Sequence, residues 1–167
     1  MEGQRNIERE ALQAMLKYLP AGELRDRAEQ ALRDSQVVRD PFTYTTTFAA
    51  LAAAANATNN INIQADSDFL ILATTYHANV ANAGQTVSTF TYPLATVLLT
   101  DSGSGRQFMD SDVSIPDMFG NGQFPFVWPQ PKLMAARSTL VVKATNYDAA
   151  QAYNLRLNFH GVKLFRL

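Results

Sequence analysis

Apolar residues recur at helical spacing early in the chain and at strand spacing later, and the period changes near residue 40. Over residues 5–19, Ile7, Ala11, Leu12, Met15, Leu16 and Leu19 fall on one helical face. Pro20 breaks the pattern and Ala21-Gly22 supplies a turn. A second helical stretch carries Leu24, Ala28, Ala31 and Leu32 on one side. Its other side pairs Glu23/Arg27, Arg25/Glu29 and Glu29/Arg33 one turn apart, each worth about 0.3 kcal/mol. Two short amphipathic helices cannot bury their stripes alone, so this segment must pack on the body of the protein or on a neighbour. Asp40-Pro41 closes it, because the residue before proline disfavours helix.

Beyond Pro41, Phe42, Tyr44, Thr46 and Phe48 alternate with Thr43, Thr45 and Thr47. This predicts a strand with an aromatic face and a hydroxyl face. Residues 52–55 are ambiguous, since poly-Ala favours helix, and the Asn cluster at 56–60 reads as loop. Ile61 and Ile63 restart a strand, and Asp66-Ser67-Asp68 is a turn before a long strand over 69–78. A small-residue loop follows at 79–85. Residues 87–100 predict another long strand, interrupted by Pro93 as at an edge or bulge. A turn at 101–105 precedes short strand pieces at 107–109 and 113–115. The turn at 119–123 leads into an extended, polyproline-prone run at 124–131. Residues 139–145 and 153–165 predict a terminal hairpin around Asn146-Tyr147-Asp148. About eight strands at this spacing predict an all-β sandwich or barrel over residues 41–167, preceded by a helical arm over 1–40.

Charge sharpens that boundary. Residues 1–40 carry 7 of the 14 Lys+Arg and 8 of the 15 Asp+Glu, and no charge lies between Asp40 and Asp66. The neutral Thr/Asn/Ala stretch at 41–65 suits a protein-facing sheet or edge. A net charge of -1 argues against a nucleic-acid partner. The chain has no cysteine, which excludes thiol catalysis, Cys-ligated zinc and disulfides and fits a reducing cytoplasm. A domain of this size needs no metal or disulfide to hold it. The charged start MEGQRNIERE lacks the apolar core of a secretory signal. The apolar run at 48–55 is far short of the roughly 20 residues of a membrane span. A soluble protein made inside a cell is the expectation.

Candidate chemistry is sparse. His77 and His160 both lie in strand candidates and read as structural. The Gly103-Ser104-Gly105 run is too short for a nucleophile elbow, and Asp101 to Arg106 lacks a phosphate-loop Lys. Asp110-Ser111-Asp112 and Asp66-Ser67-Asp68 could offer oxygens to calcium but match no twelve-residue loop. No acid/base pair, nucleophile set or metal constellation emerges, so no catalytic residue, metal ligand or cofactor is assigned and an enzyme is the weakest reading. Physically the most specific feature is the aromatic run Phe119, Phe124, Phe126 and Trp128 among three prolines and two glycines. A proline-stiffened aromatic loop docks at low entropic cost; the alternative is that its rings plug the end of the sandwich. Together with Ile7, Leu12, Met15, Leu16 and Leu19 of the arm, these four form the candidate interface.

Five segments carry a family resemblance. They are TDSGSGRQF at 100–108, the run at 113–120, FPFVWPQP at 124–131, STLVVKATN at 138–146 and LRLNFHGVK at 155–163. Their order resembles that of tailed-bacteriophage head decoration, or cement, proteins with a jelly-roll fold, over about 95 residues from Phe69 to Lys163. The resemblance implies a jelly-roll sandwich that decorates or cements the capsid without enzymatic activity. It implies the major capsid protein and neighbouring copies of the chain as partners, as a homodimer or homotrimer. Neither a nucleic-acid nor a membrane partner is expected, and the expected location is the virion surface after synthesis in the bacterial cytoplasm. Residues 1–40 have no counterpart in the resemblance. Alternatives are a low-copy neck, vertex or fibre-anchoring virion protein, or a carbohydrate-binding sandwich using an exposed ring such as Trp128 or Tyr92.

Overall fold

A computed structural model describes residues 38–81 and 87–165, and Asp26 alone of the segment before them. The arm and its stripe of Ile7, Leu12, Met15, Leu16 and Leu19 lie outside the described residues. Among the described residues nine strands form: β1 (Val38–Leu51), β2 (Asn56–Asn62), β3 (Ser67–Val80), β4 (Ala95–Asp101), β5 (Arg106–Gln107), β6 (Val113–Ser114), β7 (Phe126–Met134), β8 (Thr139–Asn146) and β9 (Tyr153–Phe165). A short helical turn, α1 (Ile115–Met118), carries Pro116 in its first turn and follows β6.

Pairing is nested. β1 pairs with β9, β2 with β8, β3 with β7, and β4 with β5 and β6, all antiparallel. A chain doubled back on itself at β4–β5 would give these pairs; rolling that ribbon up adds β3 to β9 and β4 to β8. The result is two sheets, β1-β9-β3-β7 and β2-β8-β4-β5 with β6 beside β4. That rolled double sheet is the jelly-roll arrangement, and the fold is all-β as expected.

Alternation explains the core. Along β4 the buried positions are Ala95, Val97 and Leu99, and along β8 they are Leu140, Val142, Ala144 and Asn146. They meet Phe48, Ile71, Tyr76, Leu155, Leu157 and Phe159 of the other sheet. Sheets packed face to face at about 10 Å bury such rows completely.

Three expectations need correction. The Asn cluster at 56–60 is strand, not loop: β2 pairs residue for residue with β8, and this partner outweighs the low strand preference of Asn. Residues 87–94 are not a continuous strand; only Phe90 bridges, to Asn79 of β3, and β4 starts after Pro93. The β8–β9 unit is not a hairpin, because β8 lies in one sheet and β9 in the other. The poly-Ala stretch resolves as a turn with Ala54 at positive φ, and Ala50 near the end of β1 shares that conformation. Such strain persists only where surroundings hold it. Here Asn154 Oδ1 accepts from the Ala50 N–H at 2.8 Å, and the Asp148 carbonyl accepts from the Ala54 N–H at 2.9 Å.

Candidate interaction surfaces

The five resembling segments place their distinctive residues where the backbone needs them. Asp101 caps its own turn, accepting from the Gly103 N–H at 2.9 Å and the Ser104 hydroxyl at 2.6 Å. Gly105 takes φ +67°, a conformation glycine adopts freely. At Gly120 a Cβ would sit 1.9 Å from the Phe124 carbonyl oxygen, so only glycine fits. Asn146 is fully buried. Its amide donates to the carbonyls of Leu51, Ala52 and Gln151 while its oxygen accepts from the Asp148 N–H. One side chain thus ties the β1–β2 turn to the β8–β9 crossing.

The outer face of the β1-β9-β3-β7 sheet is a hydrogen-bonded polar ladder. Thr45 Oγ1 donates to Asn158 Oδ1 at 3.0 Å, and Asn158 Nδ2 donates to Thr75 Oγ1 at 3.1 Å. The His160 ring spans three strands, with Nδ1 3.0 Å from Thr43 Oγ1 and Nε2 2.9 Å from Thr75 Oγ1. His160 is therefore engaged on both nitrogens by hydroxyls, in a structural position. Lys163 points to the inner rim, where its ammonium lies 4.0 Å from the Phe42 ring centroid and bonds Gln64 Oε1.

The carboxylates also serve as structural anchors. Tyr153 and the N–H groups of Ala150 and Gln151 donate to Asp148 and hold its carboxyl below the usual carboxylate range. Burial, then the Asp148 contact, pushes the Tyr153 phenol up. Hydroxyls of Thr96 and Tyr147 do the same to Asp112 that Tyr153 does to Asp148. Burial raises the Tyr76 phenol, with Tyr92 nearby adding to the effect. Asp68 accepts from the Ala136 N–H at 2.8 Å beside an open hollow of about 280 Å³. Among the described residues no three His, Asp or Glu side chains gather as a metal site.

The aromatic candidates separate. Phe119 is wholly buried and meets Phe159 edge-on at 5.4 Å. Trp128 is buried between Phe108 and Phe126. Its indole N–H has no acceptor among the described residues. Full burial withdraws Phe119 from any contact surface of the chain and removes Trp128 as an exposed platform; Phe126 packs half-buried against the same core. Phe124 alone of the four points out, 76% exposed.

A larger apolar strip, of which the sequence reading offered only Phe124 and Tyr92, extends this surface. Among the described residues, Val87, Phe90, Tyr92, Leu94 and Tyr147 are exposed, and Val127 joins Phe124. The pieces are linked. Phe90 stacks on Tyr76 at 6.4 Å and tilts over His77. The Gly120 N–H and carbonyl bond Thr74 and Tyr76, bringing the Phe124 loop to the same stretch of β3. Val127 pairs across from Ala73, and the Leu94 carbonyl accepts from the Tyr147 N–H. Residues 87–94 and 119–131 contain no charged side chain. In sequence, the alternation of Phe90, Tyr92 and Leu94 is indistinguishable from a half-buried strand; only Pro93 hinted otherwise.

No family model matches the chain, and no curated protein matches it. Several solved structures share part of its shape, two of them as follows. Dimeric latent PorU from Porphyromonas gingivalis matches with 11% identity and a TM-score of 0.34, over 77% of this chain and 13% of that one. A decameric BFDV capsid protein matches with 7% identity and a TM-score of 0.30, over 78% and 98%. Likenesses at these scores carry no argument about function.

Proposed function

We propose that this chain is a non-enzymatic structural virion protein that decorates or cements a bacteriophage capsid. The observation that carries the reading is the uncharged apolar strip of Phe90, Tyr92, Leu94, Phe124 and Val127. It runs beside a fold in which Asp101, Asp112, Asp148 and His160 are engaged in internal hydrogen bonds. A strip of this kind marks a protein-docking surface. The ordered resemblance to head decoration proteins supplies the partner, the major capsid protein. Symmetric arrays gain strength from many modest contacts, which suits a cement role.

The test is the copy number of the chain in purified particles of its source phage, with and without Phe90→Ser combined with Phe124→Ser. A copy number near that of the capsid subunit, lost in a variant that still folds, is the expected result. A handful of copies moves the protein to a neck or vertex. Full occupancy by the variant sinks the strip as the docking surface. Exposure of Tyr92 beside Phe90 favours a second reading, a glycan platform; glycan-array binding abolished by Tyr92→Ala, with no copies in the particle, selects it.

A further inference from the structure

The orientation of each backbone group in the β1-β9-β3-β7 sheet follows from bonds at its far side. The carbonyls of Thr74 and Ala78 and the N–H groups of Tyr76 and Val80 bond residues 89, 91 and 120, away from β9. Even-numbered residues of this part of β3 therefore face outward and odd-numbered ones face β9. Carrying the alternation through the registers Thr75↔Asn158 and Thr45↔Asn158 turns the odd-numbered residues of β1 away from β9. Two features agree. Pro41, which has no N–H, occupies an odd position, and the Thr47 carbonyl accepts from the Asn59 side chain of β2 at 2.9 Å rather than from β9. Among the described residues no strand pairs with this side of β1.

We infer that this edge of β1 is a two-fold interface, on which β1 of a second copy pairs antiparallel about an axis at Tyr44. That register sets Thr43 against Thr45 of the second copy, twice, and Pro41 against Thr47, twice. The donor that Pro41 lacks then falls opposite the one acceptor, Thr47, that Asn59 already satisfies. Shifting the axis to Thr43 puts Pro41 opposite Thr45 and orphans a carbonyl; shifting it to Thr45 aims the Thr43 N–H at the occupied Thr47 carbonyl. The chosen register brings no like charges face to face, since Arg39 and Asp40 meet Ala49 and Phe48. Thr–Thr pairs are favourable across strands. Tyr44 and Phe42, only half-buried in one copy, gain cover at the axis. Two four-stranded sheets become one continuous sheet, the edge-pairing that most proteins block with charge.

The test is sedimentation of the full chain with charge introduced at the edge. The wild type is expected to dimerise. Thr43→Lys with Thr45→Lys opposes like charges in both central pairs and weakens the dimer roughly tenfold or more. Thr43→Glu with Thr45→Lys opposes unlike charges and restores it, a pattern that a general loss of folding cannot produce. Because the chain has no cysteine, a second measurement reads register directly. Mixed Thr43→Cys and Thr45→Cys chains form a disulfide-linked dimer on oxidation, and either chain by itself does not. A wild type that stays monomeric, a dimer indifferent to both charge variants, or cross-linking of Thr45→Cys by itself overturns the inference. No phage particle enters the assay, so its failure leaves the capsid reading untouched.

Discussion

The two edges of one sheet end in opposite ways. At β1 the backbone alternation runs on unbroken from Val38 to Phe48 against β9, and what faces outward is main chain, with the Thr43 and Thr45 hydroxyls bonded back to β9 and the Thr47 carbonyl met by Asn59. At the β3 side the edge is patched. β7 pairs with β3 only up to Thr74, Gly120 bridges Thr75, and residues 89–91 bond Ala78 and Val80. The patches carry Phe90, Phe124 and Val127 outward. One edge therefore offers hydrogen bonds and the other offers apolar area. An edge finished by separate segments can display large side chains because its own polar groups are already satisfied. An unpatched edge must be charged, capped or paired.

The patched edge depends most on its buried ring. Phe119, wedged against Phe159 behind Gly120, is expected to cost about 4 kcal/mol when cut to Ala, measured by denaturant unfolding. Loss of under about 1 kcal/mol would mean the patch is not anchored through this ring. At the β1 side the corresponding anchor is Asn146. Asn146→Ala strands the carbonyls of Leu51, Ala52 and Gln151, for an expected loss of about 2–3 kcal/mol. Because Asn146 holds the far end of β1, hydrogen exchange in β1 and β2 should rise more than in β7.

Acid acts on both ends. Asp148 braces the crossing beside the β1–β2 turn, and Asp112 braces Tyr147 of the apolar strip. Both carboxyls are held low, chiefly by Tyr153 for Asp148 and by Thr96 for Asp112. A depressed folded value means the stabilisation is complete above the unfolded value, near pH 4, and drains as pH falls through the folded value. Thermal melting from pH 7 to 3 should fall less steeply for Asp148→Asn and for Asp112→Asn than for wild type. Equal slopes would show that neither carboxylate differs between folded and unfolded chains.

Much of this was legible in the chain, and the failures share a cause. The Phe42-Tyr44-Thr46-Phe48 alternation, the Asp101 turn and the long strands at 69–78 and 153–165 announce themselves locally. The Asn cluster of β2 does not, since its strand state comes from pairing with β8, about eighty residues on. Nor does the crossing at 147–152, because a turn signal shows where a chain bends but not which sheet it enters. The four rings at 119–128 look alike in sequence; the close approach at Gly120 turns Phe119 in and leaves Phe124 out. The apolar strip was hidden for the same reason, being assembled from residues 87–94, 124–127 and 147, which only the fold brings together.

The smallest expected effect lies under the β1 edge. Lys163 is 5% exposed, with its ammonium over Phe42 and within 6.0 Å of the Tyr44 ring centroid. Such contacts contribute about 0.5–2 kcal/mol, but placing an ammonium among rings also costs solvation. These terms oppose each other, so Lys163→Met, which keeps the packed stem, should change stability by about 1 kcal/mol or less. Lys163→Ala deletes the stem and opens a gap beneath Phe42, for a loss of about 2 kcal/mol. If the two variants lose the same amount, the charge itself holds the aromatic rim of β1. If only Ala is costly, the rim is held by packing, and the edge above it is set by backbone and threonines alone.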